Sequence, residues 1–257
     1  MINQIADNWY EGFFKGINCE IWEKAIPSDV TKQEVDFLLS ELNLQKGQHI
    51  LDIPCGFGRH AIELSKKGFN VTGIDISETF IKGLHEKIIS ENLNIKAIQA
   101  DLLTIPLTEQ FAGALCLGNS FGYFDIYRMK LFVEKVASCL EPGAKFIINS
   151  GMIAESILPN FLNYAKNKSY TVGNITMDVT NIYNANDGYM ISNLLYNKEG
   201  KTEEHSFKHY VFTLSEVKRL LASYGLRITA TYSSTSKTEY KLGDQQVYIV
   251  AKKEKRQ

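Results

Sequence analysis

One stretch constrains the fold more than any other part of the chain, and it runs from His49 to His60 (HILDIPCGFGRH). An apolar run ends in Asp52, a loop containing Gly56 and Gly58 follows, and a helix-like segment begins at once. Glycine lets the backbone turn sharply and approach a ligand closely. The first turn of a helix offers unpaired N–H groups to that ligand. This pattern predicts a nucleotide-type cofactor site at the carboxyl end of a first parallel strand.

The pattern beyond this loop alternates between strands and helices and predicts an α/β fold. Apolar strand segments at 48–53, 69–75, 95–100, 112–117 and 145–149 alternate with helix-like segments around 58–67, 77–91 and 127–140, which favours a parallel, doubly wound sheet. Further along, the apolar residues alternate as in antiparallel strands, with turn signals at Asn186-Asp187-Gly188 and Glu199-Gly200. We expect an N-terminal aromatic cap over residues 1–30, a cofactor-binding α/β core over 31–168, an antiparallel β insertion forming a substrate lid over 169–212, and completion of the core over 213–257.

Composition argues against several classes of protein. The 257 residues carry 28 Lys and Arg against 29 Asp and Glu, so charge gives no reason to expect a nucleic-acid or membrane-surface partner. The four cysteines are scattered without a CxxC pair, so neither a metal site nor a disulfide framework is predicted. The N-terminus has no leader-like pattern and no apolar run is long enough to span a bilayer, so we expect a cytoplasmic location.

The glycine loop is compatible with two kinds of cofactor. Residues 56–61 satisfy the G-x-G-x-x-[GA] pattern of dinucleotide-binding folds, and Asp75 at the end of the second strand suits a ribose diol. Asp52 argues against a dinucleotide, because a carboxylate beside this loop repels a pyrophosphate. Asp101 ends the third strand, so three strand ends each carry an aspartate around one crevice. S-adenosylmethionine suits this arrangement, since it has an amino group, a ribose diol and an adenine amine but no phosphate.

The stretches 50–60 and 71–77 resemble class I S-adenosylmethionine-dependent methyltransferases, and within them the small-molecule branch with a C-G-x-G-R-H loop. The run NSFGYF at 119–124 is similar to the S-F-G-Y-F signature of that branch, and 212–216 and 246–252 match its ending. The resemblance implies a Rossmann-like sheet of seven strands with the last antiparallel. It also implies methyl transfer from S-adenosylmethionine to a small-molecule N or O acceptor by in-line displacement. An arginine often found just before the 212–216 segment is replaced by Lys208, His209 and Tyr210.

The resemblance implies roles for particular residues as well. Asp52 and the glycine loop would hold the methionine moiety, Asp75 would bind both ribose hydroxyls, and Asp101 would accept from the adenine amine. Asn119 and Ser120 would line the methyl-transfer end. The full set of predicted cofactor-binding residues is Tyr10, Asp52, Pro54, Cys55, Gly56, Gly58, Arg59, Asp75, Ile76, Asp101, Leu102, Asn119 and Ser120.

No residue is an obvious catalyst in this sequence. Methyl transfer from a sulfonium does not require one, because the leaving group is neutral and positioning supplies most of the rate. Tyr123 and His209 are the candidates, the first for the acceptor pocket and the second as a base, and packing roles are open for both. Two alternatives stay open for the whole chain: an NAD-dependent oxidoreductase and a non-catalytic module that binds S-adenosylmethionine.

Overall fold

Three helices begin the described chain, and strands and helices then alternate from residue 49 to residue 150, except that the third and fourth strands are joined by a loop alone. The computed structural model describes residues 5–164 and 167–255. The elements of the first part are α1 (Tyr10–Phe13), α2 (Ile17–Ala25), α3 (Ser28–Leu42), β1 (His49–Asp52), α4 (Arg59–Lys66), β2 (Asn70–Asp75), α5 (Glu78–Glu91), β3 (Ile95–Gln99), β4 (Phe111–Cys116), α6 (Ile126–Cys139) and β5 (Leu140–Ser150). Those of the second are α7 (Ala154–Ile157), a 3₁₀ turn (Leu158–Asn160), α8 (Phe161–Tyr164), β6 (Lys168–Val172), β7 (Ile175–Asn184), β8 (Tyr189–Lys198), β9 (Lys201–Tyr210), α9 (Leu214–Ala222), β10 (Leu226–Tyr232) and β11 (Val247–Lys253). None of the described helices is long and apolar enough to cross a membrane.

The larger sheet has seven strands in the order β10-β11-β5-β4-β1-β2-β3. Strands β1 to β5 pair in parallel with their neighbours, whereas β11 is antiparallel to both β5 and β10. The predicted doubly wound sheet with an antiparallel last strand is therefore confirmed. Because the parallel strands share one direction, their carboxyl ends meet along one edge, where such sheets bind ligands.

Two apolar cores cover the two faces of this sheet. Successive residues of a strand point to opposite faces, so Ile50 and Leu51 of β1 lie in different cores. Ile50 packs in the core that α3 and α4 supply with Val35, Leu38, Ala61 and Leu64. Leu51 packs in the core that α6 and α9 supply with Phe132, Val136, Val217 and Leu221. Burial on both faces explains why β1 and β4 are apolar runs rather than alternating ones.

Strand β5 begins earlier than the predicted segment 145–149. Phe111 of β4 pairs with Leu140, but Gly113, two residues on, pairs with Lys145. The strand therefore bulges at this point, and the Pro142-Gly143 pair predicted as a turn before the strand lies within it. Proline is tolerated there because a bulge residue does not donate to the neighbouring strand.

The predicted antiparallel insertion is confirmed as a separate four-stranded sheet with the order β6-β7-β8-β9. Its two long hairpins turn where the sequence predicts, at 186–188 and at 199–200. Glu199 and Gly200 both have positive φ (53° and 83°), as a tight two-residue hairpin turn requires. One face of this sheet packs on the main core through Ile175, Met177, Leu194 and Tyr196.

The N-terminal helices and the insertion sheet are joined through one buried amide. The side chain of Asn18 donates to the carbonyl of Phe13 (2.6 Å) and accepts from Nε1 of Trp22 (2.8 Å) and the hydroxyl of Tyr196 (2.6 Å). Nearby, the N–H of Ile17 donates to the Glu203 carboxylate on β9 (2.9 Å). These contacts hold α1 and α2 against β8 and β9, so both parts form one cover over the carboxyl edge of the large sheet.

Helix α9 begins with a capping box, which allows a first prediction. The hydroxyl of Thr213 accepts from the N–H of Glu216 (3.2 Å), and the Glu216 carboxylate accepts from the N–H of Thr213 (2.7 Å). We expect Thr213→Ala to cost about 1 kcal/mol and to lower the melting temperature by roughly 2–4 °C. Ser223→Ala, at the exposed other end of the helix, is the control for calorimetric melting and should change little. An unchanged melting temperature in Thr213→Ala would contradict the stabilising role of the cap.

Candidate cofactor and acceptor site

A cavity of about 240 Å³ opens at the carboxyl edge of the large sheet. Loops after β1 to β5 form its floor, and α1, α2 and β9 form its roof. Most of the residues predicted for the site line this cavity: Tyr10, Pro54, Cys55, Gly56, Arg59, Asp75, Ile76, Asp101, Leu102, Asn119, Ser120, Tyr123 and His209. Asp52 and Gly58 are not among its lining residues; they lie behind the loop that forms its floor.

The glycine loop is fixed by its neighbours on β2 and α5. The N–H of Cys55 donates to the carbonyl of Ile74 (2.9 Å), and this hydrogen bond ties the loop to β2. Gly58 has a positive φ of 81°, and a Cβ there would lie 2.5 Å from the Leu84 side chain. Gly58 therefore serves close packing of α4 against α5, whereas Gly56 faces the cavity.

Asp75 is buried at the end of β2 with both oxygens partly engaged. Its Oδ2 accepts from the N–H of Gly56 (2.8 Å) and its Oδ1 from the N–H of Ser77 (2.9 Å). Burial raises its pKa, while these backbone N–H groups oppose the rise. Each carboxylate oxygen has two lone-pair sites, so Asp75 keeps acceptor capacity for two hydroxyl groups in the cavity. Asp101, which follows the end of β3, accepts one backbone hydrogen bond, from the N–H of Leu103 (2.9 Å).

Asp52 is a buried carboxylate without a hydrogen-bond partner among the described residues. It is 1 % exposed, and neither of its oxygens is satisfied. Burial raises its pKa to about 7; the Arg59 charge and the nearby backbone N–H of Ala61 oppose the rise, and the Asp75 charge adds to it. An unpaired carboxylate behind the floor of a cavity suits a ligand that brings a positive charge close to it. The ammonium group of S-adenosylmethionine meets this requirement and a pyrophosphate does not.

Arg59 and His60 at the start of α4 share one carboxylate partner, Glu34 of α3. Both donate to Glu34 Oε2, His60 from 3.0 Å, and the hydroxyl of Tyr248 reaches Oε1 at 3.3 Å. Burial alone would raise the pKa of Glu34, but the hydrogen bonds from His60 and Arg59 outweigh it and hold that pKa at about 2. The network fixes α4, and thereby the loop before it, against α3 and β11.

Tyr123 and His209, the two candidate catalytic residues, meet at the roof of the cavity. Their rings are 5.5 Å apart and nearly perpendicular. His209 Nε2 lies 2.9 Å from the carbonyl oxygen of Phe121, and Tyr210 N–H donates to the carbonyl of Gly122 (2.8 Å). A Cβ on Gly122 would lie 2.5 Å from His209 Nε2, so only glycine lets this loop reach β9. Burial raises the pKa of Tyr123 and lowers that of His209 to about 4, so both rings are neutral near pH 7.

Several contributors to the site were not predicted from the sequence, among them Phe207, Met152 and Glu34. Phe207 and Met152 line the cavity, and Glu34 holds Arg59 and His60, which follow the glycine loop. Phe207 had a usable signal, since it stands two residues before His209 in an alternating strand and therefore shares its face. No sequence signal indicated Glu34, because its partners are 25 and 26 residues away in sequence. Its place in the sequence pattern of α3 is that of an ordinary surface residue.

Comparison with known proteins agrees with this geometry. Residues 50–143 match the family model of the methyltransferase domain, which spans the glycine loop, Asp75, Asp101 and the loop after β4. The fold is the class I, Rossmann-like methyltransferase fold with a β insertion. Residues 50–143 are thus similar to a methyltransferase domain, and the fold is that of S-adenosylmethionine-dependent methyltransferases.

Individual relatives are distant. A glycine N-methyltransferase of Rattus norvegicus is 26% identical over 164 residues, which cover 56% of this chain and 55% of that protein. The chain therefore spans about half the length of this relative. Among solved structures, an S-adenosylmethionine-dependent methyltransferase from Clostridium acetobutylicum superposes with a TM-score of 0.79 at 19% identity, covering 92% of this chain and 97% of that one. The sugar N-methyltransferase KedS8 from Streptoalloteichus superposes with a TM-score of 0.69 at 15% identity, covering 94% of each. At such identities the structural likeness shows the fold.

Proposed function

We propose that this protein transfers a methyl group from S-adenosylmethionine to the N or O atom of a small molecule. The observation that carries this proposal is a row of three aspartates at neighbouring strand ends: Asp75 and Asp101 line the roofed cavity, and Asp52 is buried and, among the described residues, unpaired beside the loop that forms its floor. The methyltransferase domain match over residues 50–143 supports the reaction type. The closed roof and the net charge of −1 favour a free small molecule over a nucleic acid.

Each part of the cofactor is bound by different residues of this chain. Asp75 holds the ribose hydroxyls with the acceptor capacity left on its two oxygens, and Ile76 packs against the adenine ring. Asp101 accepts from the adenine amine beside Leu102. Asp52 supplies the negative charge opposite the ammonium group. When bound, S-adenosylmethionine supplies a methyl group on a positively charged sulfur, which a nucleophile takes by in-line displacement.

The far end of the cavity provides the acceptor pocket. All four of Asn119, Ser120, Tyr123 and His209 line the cavity, and we assign the first two to the methyl-transfer end and the last two to the acceptor pocket. Asn119 is held in place, because its side chain accepts from the N–H of Gly151 (2.6 Å). These residues position the acceptor and exclude water, and positioning supplies most of the rate of such a transfer.

Calorimetric titration of the purified protein tests the cofactor assignment. We expect S-adenosylmethionine and S-adenosylhomocysteine to bind with micromolar affinity and NAD not to bind, because the pyrophosphate of NAD would approach Asp52. Binding of NAD alone would contradict the proposal and favour an oxidoreductase. Binding of the adenosyl ligands without formation of S-adenosylhomocysteine from any acceptor would instead favour a non-catalytic module.

A further inference from the structure

The charged groups that line the cavity are all engaged or belong to the proposed cofactor end. Arg59 and His60 bond to Glu34, and Asp75 and Asp101 sit at the strand ends that hold the adenosine. Among the described residues the cavity lining contains no lysine and no second arginine. A carboxylate or phosphate on an acceptor would therefore be buried without a cationic partner, which is strongly unfavourable.

Aromatic rings form the wall of the acceptor end. Phe13 and Phe207 stand 5.3 Å apart, and Phe14 faces Tyr123 at 6.4 Å. Trp9 packs behind them, with centroids 5.0 Å from Tyr123 and 5.6 Å from Phe207, and so fixes both rings. Interlocked rings of this kind give a rigid apolar wall that favours stacking of a flat or apolar group.

His209 supplies the hydrogen-bonding group in this wall. A carbonyl oxygen can only accept, so the contact with Phe121 requires that Nε2 carries the proton. The ring is neutral, because burial lowers the pKa of His209 to about 4. Its Nδ1 is therefore a lone-pair acceptor, and it has no partner among the described residues although His209 is only 1 % exposed. Such an orphaned acceptor calls for a donor from the ligand.

The acceptor end favours an amine over a hydroxyl group as the methyl acceptor. A hydroxyl acceptor needs a base to take its proton, but among the described residues the aromatic wall has no carboxylate, and burial lowers the pKa of its one imidazole, His209. A neutral amine carries its own lone pair, attacks the methyl carbon without losing a proton first, and releases that proton to solvent afterwards. The bond between methyl carbon and sulfur breaks as the N–C bond forms, and its electron pair stays on the sulfur.

We propose that the acceptor is an uncharged amine carried on an aromatic group and free of carboxylate and phosphate, with an N–H that donates to Nδ1 of His209. This inference rests on the proposed function and narrows its substrate class. By this inference glycine is not the acceptor, although the chain is similar in sequence to a glycine N-methyltransferase. Glycine would bring a carboxylate to a wall of aromatic rings and one neutral imidazole.

A matched pair of probes tests the charge requirement. Calorimetric titration of 4-aminobenzamide and of 4-aminobenzoate into the complex with S-adenosylhomocysteine compares two arylamines that differ only in a neutral amide against a carboxylate. We expect the amide to bind at least tenfold more tightly and to be the better methyl acceptor, and glycine not to react. Equal or preferred use of 4-aminobenzoate or of glycine would overturn the inference. So would binding of neither arylamine to a protein that binds S-adenosylhomocysteine, whereas failure to bind S-adenosylhomocysteine would overturn the proposed function itself.

Two variants locate the effect at the acceptor end. We expect His209→Ala to weaken 4-aminobenzamide binding at least tenfold and to leave S-adenosylhomocysteine binding unchanged. His85→Ala is the matched control, since this histidine is exposed on α5 and does not line the cavity. Met152→Arg adds a cation to the cavity wall and should shift preference toward 4-aminobenzoate, a gain that misfolding cannot produce. Unchanged arylamine binding in His209→Ala would contradict the role of Nδ1.

Discussion

Replacing Asp75 by alanine is expected to lower the affinity for S-adenosylmethionine roughly 100-fold or more. Hydrogen bonds to a charged group contribute about 1.5–3 kcal/mol each, and two ribose hydroxyls would lose such a bond together. Each 1.4 kcal/mol is about a factor of ten in the dissociation constant. The loss also frees the N–H of Gly56 and the N–H of Ser77, which Asp75 holds at 2.8 Å and 2.9 Å. Calorimetric titration of the variant measures the change directly.

Asp125→Ala is the matched control for this experiment. Asp125 also accepts from two backbone N–H groups, those of Tyr127 and Arg128, but it caps α6 and does not line the cavity. We expect it to lose about 1 kcal/mol of stability and to bind the cofactor normally. If Asp75→Ala bound S-adenosylmethionine within threefold of the parent protein, Asp75 would be a structural strand-end residue and not a ribose ligand.

The sequence predicted the large sheet well because its signals are local. The loop around Gly56 and Gly58, the apolar strand segments and the turn at Glu199-Gly200 each specify backbone conformation within a few residues. The carboxyl ends of parallel strands share an edge, so placing Asp75 and Asp101 at strand ends already brought them together. The predicted strand β5 was too short, because Pro142, which usually indicates a turn, lies within a bulge of this strand.

The roof of the cavity could not be predicted in the same way. Its position depends on contacts between distant parts of the chain, such as Asn18 with Tyr196 and Ile17 with Glu203, 178 and 186 residues apart. Alternation of apolar residues indicates which face of the insertion sheet is buried, but no local pattern encodes where the sheet lies over the cavity. Aromatic residues before the first strand indicated a cap, but their interlocking with Phe207 follows only from the folded arrangement.

Asp52→Asn is expected to stabilise the protein without ligand and to weaken its binding of the cofactor. Burial raises the pKa of Asp52 from 3.8 to about 7, so folding favours the protonated form of this carboxyl. The parent protein therefore loses stability as pH rises from about 4 to about 7, and the cost is complete above pH 7. Asparagine removes this charge, so the two proteins should differ little at pH 4. The rise in pKa from 3.8 to about 7 corresponds to at most about 4 kcal/mol at pH 8. Because the asparagine amide would itself be buried without a partner, we expect about half of this gain, which would raise the melting temperature by roughly 4–8 °C.

The same substitution should act in the opposite sense on the cofactor. A bound ammonium group favours the ionised form of Asp52, so the affinity of the parent protein for S-adenosylmethionine should rise as pH increases through about 7. In Asp52→Asn this pH dependence should disappear and the affinity at pH 8 should fall at least tenfold. Melting curves and titrations at pH 5, 6, 7 and 8 measure both effects on one preparation. A variant that is less stable at pH 8 would show that the carboxylate is satisfied without ligand. If the ammonium group is the partner of Asp52, one unpaired carboxylate controls both the stability of the free protein and its affinity for the cofactor. A variant that is more stable yet binds S-adenosylmethionine normally would therefore show that the positive charge of the cofactor lies elsewhere.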